Sequence, residues 1–464
     1  MHSHVWTLAL LAITTTAGAG TMLVLAQRRD WRPSLRTSLF VGLAFRLTVL
    51  VLVALLFGER YAPYDLANDF HRAGVDVLAH RDPIIYARSI GWNYLPTYAF
   101  VLAVPAWVSQ HLAVPWVDVA RIPAILFDLG VIRQVGRVAD EIDGRGRLRA
   151  FQWACNPLAI LICADHGQME PACLFFSLGA FVRVLSVRSA ADRDVGTWRT
   201  LALAGAGIGV AISIKTWPVI FVPALLIGLP TWRMRSYLSA GAVAVLGAVY
   251  LTMPLTVGTP LHDMPSDARH ILAYKSSVVG YRWGWSGTVF QWFAHLPATA
   301  PWNDPLVLSM ASVGSKITLA GMLAAIWCWR RRHPVDIGIA TALVFLILTP
   351  ALGAQYLDWP MALMVARWAR WTMPVQIAVS VYAICAYIPM NVQWLPGNTL
   401  TSHSFWHWAA ESMVAASLVL IALFAIALPW RADRSEHPPA EPSSARVRDL
   451  LASELAPPTG PPTR

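Results

Sequence analysis

The chain has 464 residues, of which 56% are hydrophobic and only 13% are charged, with a mean hydropathy of +0.50 and a net charge of +10. Soluble domains average about 25% charged residues, so this composition excludes a water-soluble globule of this size. The positive charge is nearly all arginine, placed in short segments between apolar blocks, which is typical of membrane proteins and not of nucleic-acid binding.

The apolar blocks predict an all-α, polytopic membrane fold. Blocks such as 236–256 and 411–428 are close to the roughly 20 residues that a membrane-spanning helix needs. The alternating pattern of a membrane β-barrel is absent from the sequence. The first block, residues 5–26, lacks the preceding basic residues of a secretory signal peptide. We therefore expect it to be retained as the first spanning helix.

The arginine clusters predict the topology, because positive clusters stay in the cytoplasm. Three apolar stretches lie between the first two clusters. Because both clusters are predicted to be cytoplasmic, an even number of these stretches must cross the membrane. The middle stretch, 94–112, carries Pro96 and Pro105 and is expected to be an interfacial helix instead. The result is about 13 spans, with the N-terminus outside and the C-terminus inside. The clusters lie at 28–36, 137–149, 188–199, 233–235, 330–332 and 367–370.

Two domains are predicted. Residues 1–430 form the transmembrane domain, and residues 431–464, rich in Pro, Glu and Ser, form a disordered cytoplasmic tail. The scattered cysteines are expected to be small buried hydrophobes that form no metal site or disulfide. They are Cys155, Cys163, Cys173, Cys328 and Cys385.

The first outer connection offers a candidate general base. Asp69, followed closely by His71 and Arg72, would lie near the membrane surface with an apolar wall on one side, which suits proton abstraction from a hydroxyl. The alternative is that Asp69 caps a helix starting at Phe70. Asp82, in the same connection, is more typical of a turn.

A polar turn between two apolar runs forms the second candidate. Asp165, His166 and Gln168 can all hydrogen-bond a sugar or a phosphate. The alternative is that this turn, with Gly167, only caps the two flanking helices.

Cations and aromatic rings on later outer segments form the third candidate. Lys215 either binds a phosphate or extends to lipid headgroups. Lys275, Tyr281 and Arg282 suit sugar stacking and phosphate pairing, although an interfacial aromatic belt would look similar.

Two charges fall inside predicted spans. Arg46 and Asp128 would each cost roughly 2.5–3.5 kcal/mol at the bilayer centre if unpaired. We expect them to pair with each other in a structural role.

Several short motifs follow one another along the chain. In order, they are Asn68-Asp69-Phe70, Asp82-Pro83-Ile84-Ile85-Tyr86, Tyr94-Leu95-Pro96-Thr97-Tyr98, Asn156-Pro157-Leu158, Gly167-Gln168-Met169-Glu170, Ile214-Lys215-Thr216-Trp217-Pro218 and Gln355-Tyr356-Leu357-Asp358-Trp359-Pro360. This ordered set resembles the GT-C superfamily of membrane glycosyltransferases, and most closely its bacterial mannosyltransferase-like members. The chain departs from the family pattern at His71, at Leu95 in place of a proline, and at Glu170, which bears on sugar and acceptor specificity.

This resemblance implies a mechanism. Asp69 would take the proton of an acceptor hydroxyl as it attacks the anomeric carbon, with inversion and departure of polyprenyl phosphate. No metal or other cofactor is implied. The residues expected to contact the substrates are His71, Arg72, Asp165, His166, Gln168, Lys215, Lys275, Tyr281, Arg282, Gln355 and Tyr356, with the cations Lys215, Lys275 and Arg282 neutralising the phosphate.

The predicted function is transfer of one sugar, with mannose favoured, from a polyprenyl-phosphate donor to a lipid or envelope glycan. The reaction would take place at the outer face of a bacterial inner membrane, with no nucleic-acid partner. The alternative is a transporter or flippase for a lipid-linked glycan, which would place charges in both halves of the membrane. An inactive relative that serves as an assembly subunit is a third possibility, which the presence of Asp69 disfavours.

Overall fold

The computed structural model describes residues 2–57, 62–84, 92–189, 197–273, 285–289, 293, 305–350, 352–388 and 403–430. This part of the chain consists of helices joined by turns and loops, and its only β-type pairing is an isolated bridge between Ile84 and Trp92. The all-α prediction is therefore confirmed for the described residues. The predicted tail, 431–464, lies outside them, as do the predicted site residues Lys275, Tyr281 and Arg282.

The described α-helices are α1 (His2–Arg28), α2 (Leu35–Phe57), α3 (His71–Leu78), α4 (Thr97–Leu112), α5 (Trp116–Val119), α6 (Arg121–Asp143), α7 (Gly146–Ala154), α8 (Pro157–Leu161), α9 (Glu170–Ser189), α10 (Thr197–Ile214), α11 (Val222–Ile227), α12 (Trp232–Leu251), α13 (Met253–Thr256), α14 (Met264–Ala273), α15 (Trp285–Thr288), α16 (Pro305–Trp329), α17 (Pro334–Leu348), α18 (Asp358–Ala366), α19 (Thr372–Tyr387) and α20 (His403–Ala427). Single turns of π- or 3-10 helix lie at Asp65–Phe70, Ile162–His166, Trp217–Phe221 and Ala354–Leu357.

Six of the described helices are long and apolar enough to cross a membrane: α1, α2, α9, α10, α12 and α16. The predicted count of about 13 spans is not confirmed. Several apolar stretches that hydropathy counts as spans contain breaks, and their apolar helices are shorter than a full crossing. These shorter apolar helices are Pro157–His166, Trp217–Ile227, Pro334–Leu348 and Thr372–Tyr387.

A buried ion pair joins three of the helices. Arg46 of α2 donates from Nε to Asp128 Oδ2 of α6 at 2.6 Å, and both side chains are fully buried. The guanidinium also donates to the carbonyls of Gly42 and Ala154, each at 2.9 Å, while Trp153 donates to Asp128 Oδ1 at 3.1 Å. The predicted pairing is confirmed, and it ties α2, α6 and α7 together.

Helices α10 and α12 pack main chain against main chain. A methyl group added at Gly205 would lie 1.9 Å from the carbonyl oxygen of Leu238, and one added at Gly241 would lie 2.2 Å from that of Ala202. Only glycine permits such an approach, which is a common way for membrane helices to associate. Leu238 is the one buried residue of α12, so most of this helix faces outward.

The predicted behaviour of the cysteines is confirmed for three and wrong for two. Cys155, Cys163 and Cys173 are buried, whereas Cys328 on α16 and Cys385 on α19 are exposed. All five are free thiols. Apolar sequence surroundings do not distinguish a helix face that packs inward from one that points outward.

The connection that contains Asp82 docks against the residues around α14. Asp82 accepts hydrogen bonds from the backbone N–H of Ile84 at 2.8 Å and from the Thr259 hydroxyl at 2.6 Å, which confirms its predicted turn role. Asp267 of α14 is fully buried beside it. Burial and, to a lesser extent, the charge of Asp82 raise the pKa of Asp267 to about 7.

We expect Asp267→Asn to stabilise the protein more at pH 8 than at pH 5. The folded protein holds the Asp267 proton up to about pH 7, whereas the unfolded chain loses it near the ordinary value of 3.8. The contribution of Asp267 to the free energy of unfolding is therefore fully present below about pH 4 and is lost as the pH rises to about 7. Asparagine keeps a hydrogen-bond donor at every pH.

The measurement is the thermal unfolding midpoint in detergent at both pH values, with an expected gain on the order of 1–3 °C at pH 8. Asp263→Asn, at a side chain 42% exposed on the same connection, is the matched control. An equal gain at pH 5 and pH 8 would contradict the pH-dependent pairing.

We expect Arg46→Met and Asp128→Leu, made singly, each to reduce the free energy of unfolding by about 3–5 kcal/mol, because either change leaves a buried charge without a partner. The double variant should recover much of that loss. Folded yield and thermal midpoint of the two singles and the double measure the coupling. Additive losses in the double variant would contradict a direct pairing.

Candidate active site

The residues before α3 and the turn that precedes α9 are both held by the segment that contains α5 and α6. Trp116 donates from its indole N–H to the carbonyl of Leu66 at 2.7 Å, and Arg121 donates from Nε to the carbonyl of Asp165 at 2.7 Å. Gly167 has a φ of +69°, and a methyl group there would lie 3.0 Å from both Leu66 and Arg121. A glycine is therefore needed for this close approach.

Asp65 is the centre of the polar contacts at this junction. Its Oδ1 lies 3.0 Å from His166 Nε2, and its other oxygen accepts a hydrogen bond from Gln168. The far side of the imidazole, Nδ1, lies 3.0 Å from the hydroxyl of Tyr387 on α19. His166 and Gln168 were predicted as site residues, whereas Asp65 and Tyr387 were not.

A signal for Asp65 exists in the sequence, since it precedes Asp69 by four residues and so falls near the same helical face. No comparable signal exists for Tyr387, which is 221 residues from His166 along the chain.

Asp69 lies inside a helical segment and does not cap one. Helical structure begins at Asp65 with a π-helical turn that runs directly into α3, so the N-cap alternative is wrong. The Asp69 carboxylate accepts no hydrogen bond from another described residue. It lines a cavity of about 460 Å³ at this surface. The other lining residues are Tyr64, Ala67, Asn68, His71, Arg72 and Val75.

Two effects strengthen Asp69 as a base. Partial burial and, to a lesser extent, the charge of Asp65 raise its pKa to about 6, against a smaller opposing effect of Arg72. Asp65 differs. Burial alone would raise its pKa, but His166, Gln168 and Lys215 outweigh that effect and leave the pKa lowered. Two neighbouring carboxylates thus have different proton affinities.

His71 and Arg72 shape the same cavity. The His71 ring stacks on Trp116 with centroids 4.7 Å apart. Arg72 is largely exposed, and its Nε lies 3.5 Å from a carboxylate oxygen of Asp76 one turn further on. Both predicted residues therefore lie beside Asp69.

Asp165 is placed differently from its neighbours in the turn. Its side chain is fully buried, and neither carboxylate oxygen accepts a hydrogen bond from a described residue. The helix-capping alternative therefore fails for this carboxylate, although it holds for Gly167, whose left-handed conformation ends the preceding π-helical turn.

Lys215 lies at the end of α10, near two tyrosine rings. Its Nζ is 2.6 Å from Glu170 Oε1, and it stands 5.6 Å from the ring centre of Tyr94 and 6.0 Å from that of Tyr356. The side chain is buried, so the alternative that it extends to lipid headgroups is wrong. Glu170 is a partner that the sequence analysis noted only as a departure from the family pattern.

A ring stack brings two distant turns together. The indole rings of Trp217 and Trp359 are parallel, with an interplanar angle of 5° and centroids 4.3 Å apart. Tyr356 packs on the same Trp359 ring at 4.7 Å. Gln355, next to it, is half-buried and makes no hydrogen bond to another described residue. Both predicted residues thus lie at this second cluster.

The predicted residues around these two clusters therefore come from three parts of the chain. Asp165, His166 and Gln168 come from the turn before α9, Lys215 from the end of α10, and Tyr356 from the turn before α18. Lys215 is close enough to Asp65 to influence its pKa, which links the two clusters. Within the described residues, no group of three or more His, Cys, Asp or Glu side chains has the arrangement of a metal site.

Such an arrangement suits proton abstraction next to a polar binding region. Asp69 supplies an unpartnered carboxylate at a cavity, and Asp65, one helical turn before it, bonds to His166 and Gln168. An accessible carboxylate with a raised pKa suits general-base chemistry at a hydroxyl.

Comparison with known proteins gives the reaction class. The sequence profile described as glycosyltransferase family 87 matches residues 92–350, which is more than half of the chain and begins after Asp69. Neither a curated protein nor a solved structure matches the chain. The resemblance to GT-C enzymes is thereby confirmed: this chain belongs to glycosyltransferase family 87, a family of GT-C-type membrane glycosyltransferases.

Proposed function

We propose that the protein transfers one sugar from a polyprenyl-phosphate donor to a hydroxyl of a lipid or envelope glycan. The proposed site faces the exterior of a bacterial inner membrane, and mannose is the favoured sugar. Family membership supplies the reaction class. The observation that carries the rest is an unpartnered Asp69 carboxylate at a cavity, one helical turn from the cluster around Asp65.

Asp69 acts as the general base in this proposal. With a pKa of about 6 it is mostly ionised at neutral pH and still has a useful affinity for a proton. As the acceptor oxygen bonds to the anomeric carbon, its proton moves to Asp69. The bond from that carbon to the donor phosphate breaks, and the electron pair leaves with the phosphate. Attack opposite the leaving group inverts the carbon.

The leaving phosphate needs positive charge. Lys215 has three N–H donors, and Glu170 engages one of them, so the others remain for a phosphate oxygen. Arg72 supplies a second charge at the cavity. Lys275 and Arg282 remain predicted contributors. Charge aimed at the leaving group stabilises the transition state more than the bound donor.

The sugar has both stacking and hydrogen-bonding partners in this region. Tyr356 offers a partly exposed aromatic ring, and Gln355 offers an amide without a described partner. The bare carboxylate of Asp165 is suited to accept hydrogen bonds from sugar hydroxyls, which would satisfy a buried group that is otherwise costly.

The proposed external orientation of the site rests on contacts between several inter-helix connections. The positive-inside rule predicts that residues 58–92, the turn at 165–170 and the short turns near Lys215 and Trp359 all lie outside. In the fold these segments contact one another, as a shared external site requires.

We expect Asp69→Asn to reduce sugar transfer by about 10²–10⁴-fold, the usual contribution of a general base. In the wild type, kcat/KM should fall roughly tenfold per pH unit below about pH 6, because a protonated Asp69 cannot accept the acceptor's proton. The assay uses membranes expressing the protein, labelled polyprenyl-phosphate mannose or glucose, and a native lipid extract as acceptor.

Asp263→Asn serves as the carboxylate control, since that side chain lies on α14's connection and away from the cavity. Full transfer by Asp69→Asn would move the base to another carboxylate. No transfer by the wild type from either donor would argue against this donor class and favour the flippase alternative.

A further inference from the structure

Two carboxylates lie one helical turn apart at this site, and their surroundings differ sharply. Asp65 accepts hydrogen bonds from the backbone N–H of Leu66 at 3.0 Å, from His166 Nε2 at 3.0 Å and from Gln168. Asp69 accepts none from the described residues. A carboxylate with several donors is held in its charged form and in one orientation, whereas a bare carboxylate beside a cavity is free to bind a proton or a hydroxyl.

The donors to Asp65 are themselves fixed. His166 is held on its other side by the Tyr387 hydroxyl at 3.0 Å, and its side chain is only 14% exposed. Arg121 fixes the main chain of the same turn through the Asp165 carbonyl. The position of the Asp65 charge is therefore set by α6, by the turn before α9 and by α19.

The charged groups around the two carboxylates are few. From the turn before α9, Asp65 faces His166. From the end of α10 it faces Lys215. Asp69 faces Asp65 and Arg72 from its own helical segment. Asp165 and Glu170 act on His166 from beyond it. Asp65 is thus the negative neighbour of Asp69, and its own charge is supported by cations that lie further from Asp69.

We propose that Asp65 is a positioning residue for the base: a fixed negative charge that keeps Asp69 avid for the acceptor's proton. This role rests on the proposed function, in which Asp69 is the base, and adds to it a second carboxylate with a separate task. Asp65 exchanges no proton during the reaction. Neighbouring titratable groups whose environments differ commonly take different roles in catalysis, which supports separate tasks for Asp65 and Asp69.

The experiment compares pH profiles of kcat/KM for the wild type, Asp65→Asn and Tyr387→Phe. Asp65→Asn keeps an oxygen acceptor for His166 and Gln168 but removes the charge. Its acid limb should move to lower pH by about 0.5–1 unit, because Asp69 then releases its proton more readily. Tyr387→Phe removes a hydrogen bond of the same network and no charge, so its acid limb should stay at the wild-type pH. Thermal midpoints show whether each variant is folded.

A second measurement is independent of turnover. Infrared titration of purified protein follows the protonated-carboxyl band that disappears in Asp69→Asn, and its midpoint should be lower in Asp65→Asn than in the wild type. An unchanged midpoint and acid limb, with transfer reduced equally at all pH values, would overturn the proposal in favour of a merely structural Asp65.

Loss of transfer at every pH in Asp65→Asn, with transfer retained in Asp69→Asn, would also overturn it, since Asp65 would then be the base itself. A wild type that transfers no sugar would refute the proposed function alone, because the infrared midpoints still test the relation between the two carboxylates.

Discussion

The site depends on one contact, the docking of residues 65–71 against the turn that precedes α9. Main-chain carbonyls of Leu66 and Asp165 accept hydrogen bonds from Trp116 and Arg121, and Gly167 allows the two segments to approach closely. These hydrogen bonds hold the main chain of both segments without using the side chains of Asp65, His166 or Gln168. The polar side chains at the junction in turn bond to one another, with Asp65 held by His166 and Gln168.

Buried charges in this protein separate into paired and unpaired groups. Arg46–Asp128 and Lys215–Glu170 are ion pairs, as the low dielectric of a membrane protein interior demands. Asp165 has no partner among the described residues and lies beside the cluster. A buried charge with a partner of opposite sign is accounted for by a structural role. A bare carboxylate beside the candidate site is a candidate for a functional role.

The sequence predicted what depends on composition and local order. Helicity, the Arg46–Asp128 pair and the turn at Asp82 follow from apolar blocks, isolated charges and Asp-Pro chemistry. The contact between His166 and Tyr387 joins residues 221 positions apart, and no local pattern encodes it. The number of spans was not confirmed, because mean hydropathy records how apolar a stretch is and does not record where its helix stops.

The glycine contact between α10 and α12 has a consequence for how relatives of this protein can be found. Because Gly205 and Gly241 meet main chain and not side chains, the partner surface places little demand on residue identity elsewhere along α12. The outward side of α12 is free to drift in evolution as long as it stays apolar. Distant homologues would then share with this protein the spacing of small residues in these two helices and little else of their sequence there.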